Sequence, residues 1–186
     1  MTLIETTPSA AAAIGVCGRL RPLGTVRIRR MTMADEGAYR TFAARLTPDD
    51  LRLRFGRPVK PDDPRLLTPF LGAAPGDQTA IAAVDGEGAI LGVAFIARVS
   101  SAEAEVGLIV RSDLKRRGLG RCLLNASLRH ARERGFAAVV ADILRENQAM
   151  RALALQAGFG FVAMRGPTSG LRLELAPHPA VLSRCA

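Results

Sequence analysis

Residues 106–124, VGLIVRSDLKRRGLGRCLL, constrain the fold of this chain more than any other segment. An apolar run at 106–110 stops at a basic loop, and Gly118 and Gly120 then stand at the opening of a helical pattern. A strand that turns tightly into a helix commits the surrounding chain to an α/β arrangement. Glycines carry no side chain, so the backbone N–H groups of Arg116, Arg117, Gly118, Leu119, Gly120 and Arg121 can converge on one point. The positive end of the following helix favours an anion there, which makes the segment a cradle for a pyrophosphate. A glycine-bearing turn that holds no ligand has the same local pattern. Two other phosphate motifs are excluded. Leu123 stands where a dinucleotide fingerprint needs its third glycine, and the Gly-Lys-Ser/Thr ending of a nucleotide P-loop is missing.

Periodicity places elements around this turn. Strict alternation predicts a first strand at 25–29, and helical spacing follows at 34–46. Thr47-Pro48-Asp49-Asp50 caps a second short helix that reaches Phe55. A Pro-rich connection at 58–64 leads to a helical turn at 66–71. Strands at 79–84 and 90–97 flank the turn Asp85-Gly86-Glu87-Gly88, and a fourth strand spans 103–110. The helix at 119–134 carries Arg121, Asn125, Arg129 and Arg132 on one side and Leu119, Leu123 and Ala126 on the other, and Gly135 ends it. The run AAVVADIL at 137–144 reads as a strand covered on both faces. A last helix at 147–157 and strands at 159–164 and 171–175 complete a mixed sheet with helices on both faces. The pattern divides the chain into a tail at 1–24, one domain at 25–176 and a second tail at 177–186.

A chain of 186 residues with 48% hydrophobic content supports one domain. No apolar run approaches the roughly 18 residues of a membrane span, so no membrane partner is expected. The Ala-rich stretch at 10–16 lacks the basic start and cleavage site of a secretory signal. Cys17, Cys122 and Cys185 are odd in number and lack metal-ligand spacing, which points to a reducing cytosol, a cytoplasmic location and no metal site. Cys122 reads as a small buried hydrophobe, His130 as a half-exposed helix residue and His178 as part of the tail. The net charge of +9 comes from arginine, Lys60 and Lys115 being the only lysines. Such a charge fits an anionic cofactor or an acidic protein surface, and equally an arginine-biased composition. The arginines are dispersed and no recognition-helix motif accompanies them, which argues against nucleic acid.

The cradle resembles the acyl-CoA-binding motif of the GNAT (general N-acetyltransferase) superfamily, Gln/Arg-x-x-Gly-x-Gly/Ala. Lys115, Arg116, Arg117, Gly118, Leu119 and Gly120 occupy it, and Lys115 keeps the positive charge of the usual first residue. The likeness continues downstream. The family's Asn-x-x-Ala-x-x-Leu-Tyr-x-x-x-Gly-Phe is met by Asn147, Met150, Leu153, Ala154, Gly158 and Phe159. Met150 replaces a small residue, and Ala154 replaces the tyrosine that protonates the leaving thiolate in many members. Tyr39, the single tyrosine of the chain, falls on the first helix. The stretches RLTPDDLRLRF, AEVGLIVRSDLKRRGLG and LRENQAMRALALQAGFGF are similar to the acetyltransferase domain of Pat-type bacterial protein lysine acetyltransferases. The resemblance spans residues 25–175. With 24 residues ahead of the first predicted strand, the chain reads as the catalytic unit standing alone.

The resemblance implies an α/β fold with a mostly antiparallel central sheet, helices on both faces and splayed fourth and fifth strands. It implies acetyl-CoA as co-substrate. Leu108, Ile109 and Val110 would bond the pantetheine arm through their main chain, and a neighbouring N–H would polarise the thioester carbonyl. Lys115, Arg116, Arg117, Gly118, Leu119, Gly120 and Arg121 would hold the pyrophosphate. Asn147 would bond the pantetheine amide or an ordered water; as a residue it also suits a helix N-cap. Only a free amine attacks a thioester, so a base is needed, and a half-buried carboxylate at Glu105 would serve. Glu105 also reads as an ordinary solvent-facing strand residue paired with an arginine. Glu103, on the same strand face, is the second candidate or a rim charge. Residues 52–71 would shape the acceptor side of the cleft, with Phe55 and Phe70 packing.

These readings converge on an acetyl-CoA-dependent N-acetyltransferase that modifies exposed lysines of cytosolic proteins by direct transfer in a ternary complex. As in the Pat group, an acyl-CoA synthetase is the implied protein partner. A small-molecule amine acetyltransferase and a non-catalytic acyl-CoA-sensing module remain the alternatives.

Overall fold

In the computed structural model, which describes residues 13–20, 23–60, 63 and 78–176, eight strands form one sheet. They are β1 (Ala13–Leu20), β2 (Gly24–Arg30), β3 (Gln78–Val84), β4 (Ile90–Arg98), β5 (Glu103–Val110), β6 (Ala138–Leu144), β7 (Gly160–Arg165) and β8 (Thr168–Glu174). Their order across the sheet is β1-β2-β3-β4-β5-β6-β8-β7, every pair antiparallel except β5 with β6. The described helices are α1 (Glu36–Ala43), α2 (Pro48–Phe55), α3 (Leu119–Glu133) and α4 (Gln148–Gln156). This is the α/β architecture expected of the sequence, a mostly antiparallel sheet with helices on both faces.

Each face of the sheet has its own core. On one face, Leu119, Leu123 and Leu124 of α3 and Ala154 of α4 pack on Ile81, Leu91, Val106 and Val139. On the other, Tyr39, Phe42 and Ala43 of α1, spaced i, i+3, i+4, join Leu51 of α2 against Ala82, Val93, Phe95 and Ile109. Leu51 and Leu123 are fully enclosed, and each such burial contributes about 1.5–3 kcal/mol. β5 serves both cores: Ala104 and Val106 point to the α3 side, and Ile109 points to the α1/α2 side.

The structure departs from the sequence pattern in four places. Within the predicted tail at 1–24, Ala13–Leu20 forms an edge strand antiparallel to β2. Its irregular register, shifted between Ala13 and Gly15 and between Val16 and Gly18, explains why no alternation announced it. Cys17 on that strand is joined to Cys122 on α3 in a disulfide, with Cα atoms 5.6 Å apart. Neither cysteine is therefore the free, isolated thiol that the sequence suggested. His130, predicted half-exposed, is buried at 3% exposure with Arg30 Nη2 at 3.3 Å and Thr79 Oγ1 at 3.2 Å. Burial and the nearby Arg30 and Arg134 charges pull its pKa down to about 4. Finally, the predicted helix at 34–46 divides into a 3₁₀ turn at Met33–Asp35 and α1, joined where Asp35 accepts two bonds from Arg29 at 2.6 and 2.8 Å. The predicted turn at 66–71, Phe70, His178 and the tail at 177–186 lie outside the described residues.

Candidate functional site

β5 and β6 run parallel only over Glu103↔Ala138, Ala104↔Val139 and Glu105↔Val140. Beyond Glu105, β6 keeps β8 as its partner while β5 keeps only β4, so the two strands part. The Glu103 carbonyl accepts from Val99, and the Arg111 N–H donates to Leu91, both toward β4. Main-chain groups alternate in direction along a strand, so those of odd-numbered residues here face β4. The N–H and C=O groups of Leu108 and Val110 therefore face the gap, while those of Ile109 are turned to β4. Of the three predicted pantetheine contacts, Leu108 and Val110 present a free edge, and Ile109 is a buried core residue.

The gap opens into a cleft of about 490 Å³ lined by Leu108, Ile109 and Val110, by Lys115, Arg116 and Gly118 to Arg121, by Asn147, Met150 and Leu153 beside α4, and by Asp50, Leu53 and Arg54 of α2. At its mouth, the backbone N–H groups of residues 116–121 make no hydrogen bond to any described residue. Arg116, with φ +59°, is the one described non-glycine residue in the left-handed region, and Gly118 follows with φ +86°. Such an alternation turns successive N–H groups toward one side and forms an anion-binding concavity. Gly118 is also the N-cap of α3 and has no side chain to bond the first turn, so those donors stay available. Gly120 lines the cleft and has a packing task as well. A Cβ there would lie 3.3 Å from Leu153 Cδ2, so the glycine lets α3 approach the Leu153 side chain of α4.

The arginines and the lysine of the cradle are not equivalent. Lys115 Nζ is bonded to Asp50 Oδ1, and Ser112 Oγ bonds Asp50 Oδ2. Asp50 also receives Thr47 N at 3.1 Å and Thr47 Oγ1 at 2.8 Å, closing the capping box of α2. Burial works against its ionised form, but the bonds from Lys115, Ser112 and Thr47 prevail and hold the carboxyl below its ordinary value. Lys115 thus links the cradle to α2 as well as lining the cleft. Arg116 and Arg121 are exposed, and Arg121 Nη2 reaches Gln156 Oε1 at 2.8 Å. Asn147 caps α4, its Oδ1 accepting from Met150 N at 3.1 Å, and it also lines the cleft.

Glu105 shares a face of β5 with Gly107 and Ile109, toward α1 and α2. It is exposed, not half-buried as expected, and has no ion-pair or hydrogen-bond partner among the described residues. Glu103 is engaged, with Arg172 Nη2 at 3.0 Å and Nε at 3.3 Å from its Oε1. Ala154, at the position of the family's tyrosine, is fully buried in the core beneath α4. Tyr39 is enclosed in the α1 core, and burial pushes its phenol up to about 12, with Arg54 acting in the opposite sense. Sequence reasoning missed Asp50 as a cleft residue and Arg54 as an individual participant; both sit in a segment that reads simply as a capped helix. Among the described residues no group of side chains could hold a metal ion, and no helix is long and apolar enough to cross a membrane.

Comparison with known proteins agrees with this geometry. The model of the Acetyltransferase (GNAT) family matches residues 45–161. The GNAT domain of S. lividans PAT superposes with a TM-score of 0.78 at 24% identity, covering 91% of this chain and 99% of that one. YncA of Salmonella typhimurium, solved with its cofactor acetyl-CoA, gives 0.60 at 22% identity over 82% and 95% of the two chains. The PaiA N-acetyltransferase of Thermoplasma acidophilum, in complex with coenzyme A, gives 0.66 at 13% identity over 81% and 99%.

Proposed function

The chain belongs to the acetyltransferase (GNAT) family, and on that premise we propose that it transfers acetyl groups to lysine side chains of cytosolic proteins within one ternary complex. Acetyl-CoA is the co-substrate of the family and supplies the activated acetyl group when bound. The residues present fit it. The unbonded amides of 116–121 suit a pyrophosphate, and the free edge at Leu108 and Val110 suits the amides of a pantetheine arm. A side chain on Gly118 would put an L-residue at φ +86°, so the cradle depends on that glycine.

The observation that carries the acceptor reading is the position of Glu105. It lies just before the strand edge opens, exposed and uncommitted, on the face opposite α3. An amine with an ordinary pKa near 10.4 arrives protonated, and Glu105 takes that proton directly or through one water. An exposed base suits an amine presented at the end of a long, flexible side chain. The likeness to the GNAT domain of S. lividans PAT and the net charge of +9 support a protein acceptor with an acidic surface around its lysine, an acyl-CoA synthetase being our candidate. No tyrosine lines the cleft among the described residues, and we assign protonation of the leaving thiolate to water. Incubation with labelled acetyl-CoA and a cell lysate tests the reading: label on lysines of discrete proteins supports it. Efficient labelling of polyamines or aminoglycosides with none on protein would replace it.

A further inference from the structure

The guanidinium of Arg54 reaches across from α2 and lies against β5 at Gly107. A Cβ on Gly107 would come within 2.4 Å of Cζ and 2.6 Å of Nη2, so only glycine leaves room for it. Its plane is framed by aromatic rings, with Cζ 5.1 Å from the centroid of Phe55 and 5.5 Å from that of Phe95. Phe95 is the β4 residue registered opposite Gly107, so strand pairing fixes this seat. Arg54 Nε is sealed from solvent without any hydrogen-bond partner, and the residue lines the cleft beside Leu108 and Ile109. No carboxylate among the described residues lies within ion-pair distance of it.

Buried guanidinium groups are ordinarily forked onto a carboxylate, because an unpaired buried charge is costly and cation–π contacts recover only part of that cost. Burial here disfavours the charged form, and the Glu105 and Tyr39 charges offset it only in part. The chain keeps a cation, clears a strand residue to seat it, and gives it no carboxylate of the described residues within ion-pair distance at the point between the base and the free strand edge. We propose that Arg54 binds a carboxylate carried to the transfer point by a substrate, either the terminal carboxylate of a dicarboxylic acyl group on CoA or a carboxylate on the acceptor amine. This makes Arg54 the residue that sets substrate selectivity in the cleft. The inference rests on CoA-dependent transfer at this cleft and does not require the acceptor to be a protein lysine.

Two arms separate the sources. In the donor arm, affinities for succinyl-CoA and butyryl-CoA, which have equal numbers of acyl carbons, are measured by calorimetry. In the acceptor arm, kcat/KM for acetyl transfer is compared between L-lysine and cadaverine, the same diamine without the carboxylate. One arm should show a preference of about tenfold or more for the carboxylated member, the size of a charge-assisted hydrogen bond. That ratio should fall to about one in Arg54→Met, and also in Gly107→Ala, which displaces the guanidinium without altering Arg54. Each ratio is taken within one protein, so partial unfolding of a variant cancels, and free CoA affinity reports the folded cleft. Absence of a preference in both arms, or a preference that survives both substitutions, overturns the proposal. So does an equal loss for charged and neutral ligands, which would make Arg54 a general electrostatic support. The donor arm uses no acceptor, so its outcome is independent of whether lysate proteins are labelled.

Discussion

Asp50 and Lys115, sixty-five positions apart, form an ion pair in which the carboxylate is 2% exposed and the ammonium 49%. The pair joins the first turn of α2 to the cradle, so the two walls of the cleft are held by one carboxylate that Ser112 and Thr47 also bond. Asp50→Asn keeps the shape and removes the charge. It should cost roughly 1.5–3 kcal/mol, the range for hydrogen bonds to a charged group. Its pKa is lowered in the fold, so its contribution is full above the ordinary 3.8 and is lost as pH falls below that value. Urea midpoints at pH 7 and pH 3 should therefore converge between wild type and Asp50→Asn at the acid end.

His130 gives a separate acid limb at higher pH. Its folded pKa of about 4 lies below the ordinary 6.5, so between these values the unfolded chain takes up a proton that the native state refuses. Stability should decline as pH falls from 6.5 toward 4, by at most about 1.4 kcal/mol per pH unit, and this loss should then stop. His130→Gln should flatten that stretch of the stability profile measured by chemical denaturation. A variant with the wild-type slope would exclude His130 as the source.

Gly118→Val should weaken CoA binding and also destabilise the fold by roughly 1–2 kcal/mol, because φ +86° is costly for an L-residue. Gly120→Leu should act mainly through packing against Leu153. Calorimetry with CoA alongside thermal melts separates the two effects. Unchanged CoA affinity in Gly118→Val would move the pyrophosphate elsewhere.

Glu105→Gln should retain acetyl-CoA affinity and lose about 10²–10⁴ in turnover at neutral pH, the usual contribution of a positioned base. The deficit should shrink at high pH, where the amine arrives already deprotonated. Steady-state rates from pH 7 to pH 10 measure both. Near wild-type turnover at pH 7 would assign the proton to water, since Glu103 is engaged with Arg172.

Cys17→Ser should lower stability by about 2–4 kcal/mol, because the disulfide closes a loop between residues separated by 105 positions. Wild type should show the same loss in reductant, and the variant should be insensitive to it. Guanidinium midpoints with and without dithiothreitol are the measurement.

Whatever near neighbours dictate is legible in the order of the residues. Glu103–Val110 matches the predicted strand residue for residue, and α2 and α3 begin where their capping signals place them, at Pro48 after Thr47 and at Leu119 after Gly118. The resemblance carried by the cradle and by Asn147 to Phe159 identified the family and its co-substrate. These features depend on short-range geometry: alternation along a strand, hydrogen bonds across a cap, a positive φ at glycine.

Contacts between distant segments are not legible in this way, because no spacing rule links them. Cys17 meets Cys122 only because β1 adds to the sheet edge and crosses α3. Asp50 reads as a cap until folding brings Lys115 and Ser112 to it. Gly107 looks like a weak strand residue until Arg54 is seen to need its missing side chain. The free edge at Leu108 and Val110 follows from where β5 and β6 separate, which is set by the packing of both sheet faces at once. Local residue order thus specifies most of the elements, the glycine turn before α3 and the family. Which charged groups are paired, which are exposed, and that Arg54 is buried beside the cleft with no carboxylate of the described residues in ion-pair distance, are settled on folding, because those outcomes depend on burial and on distances between segments far apart in the chain.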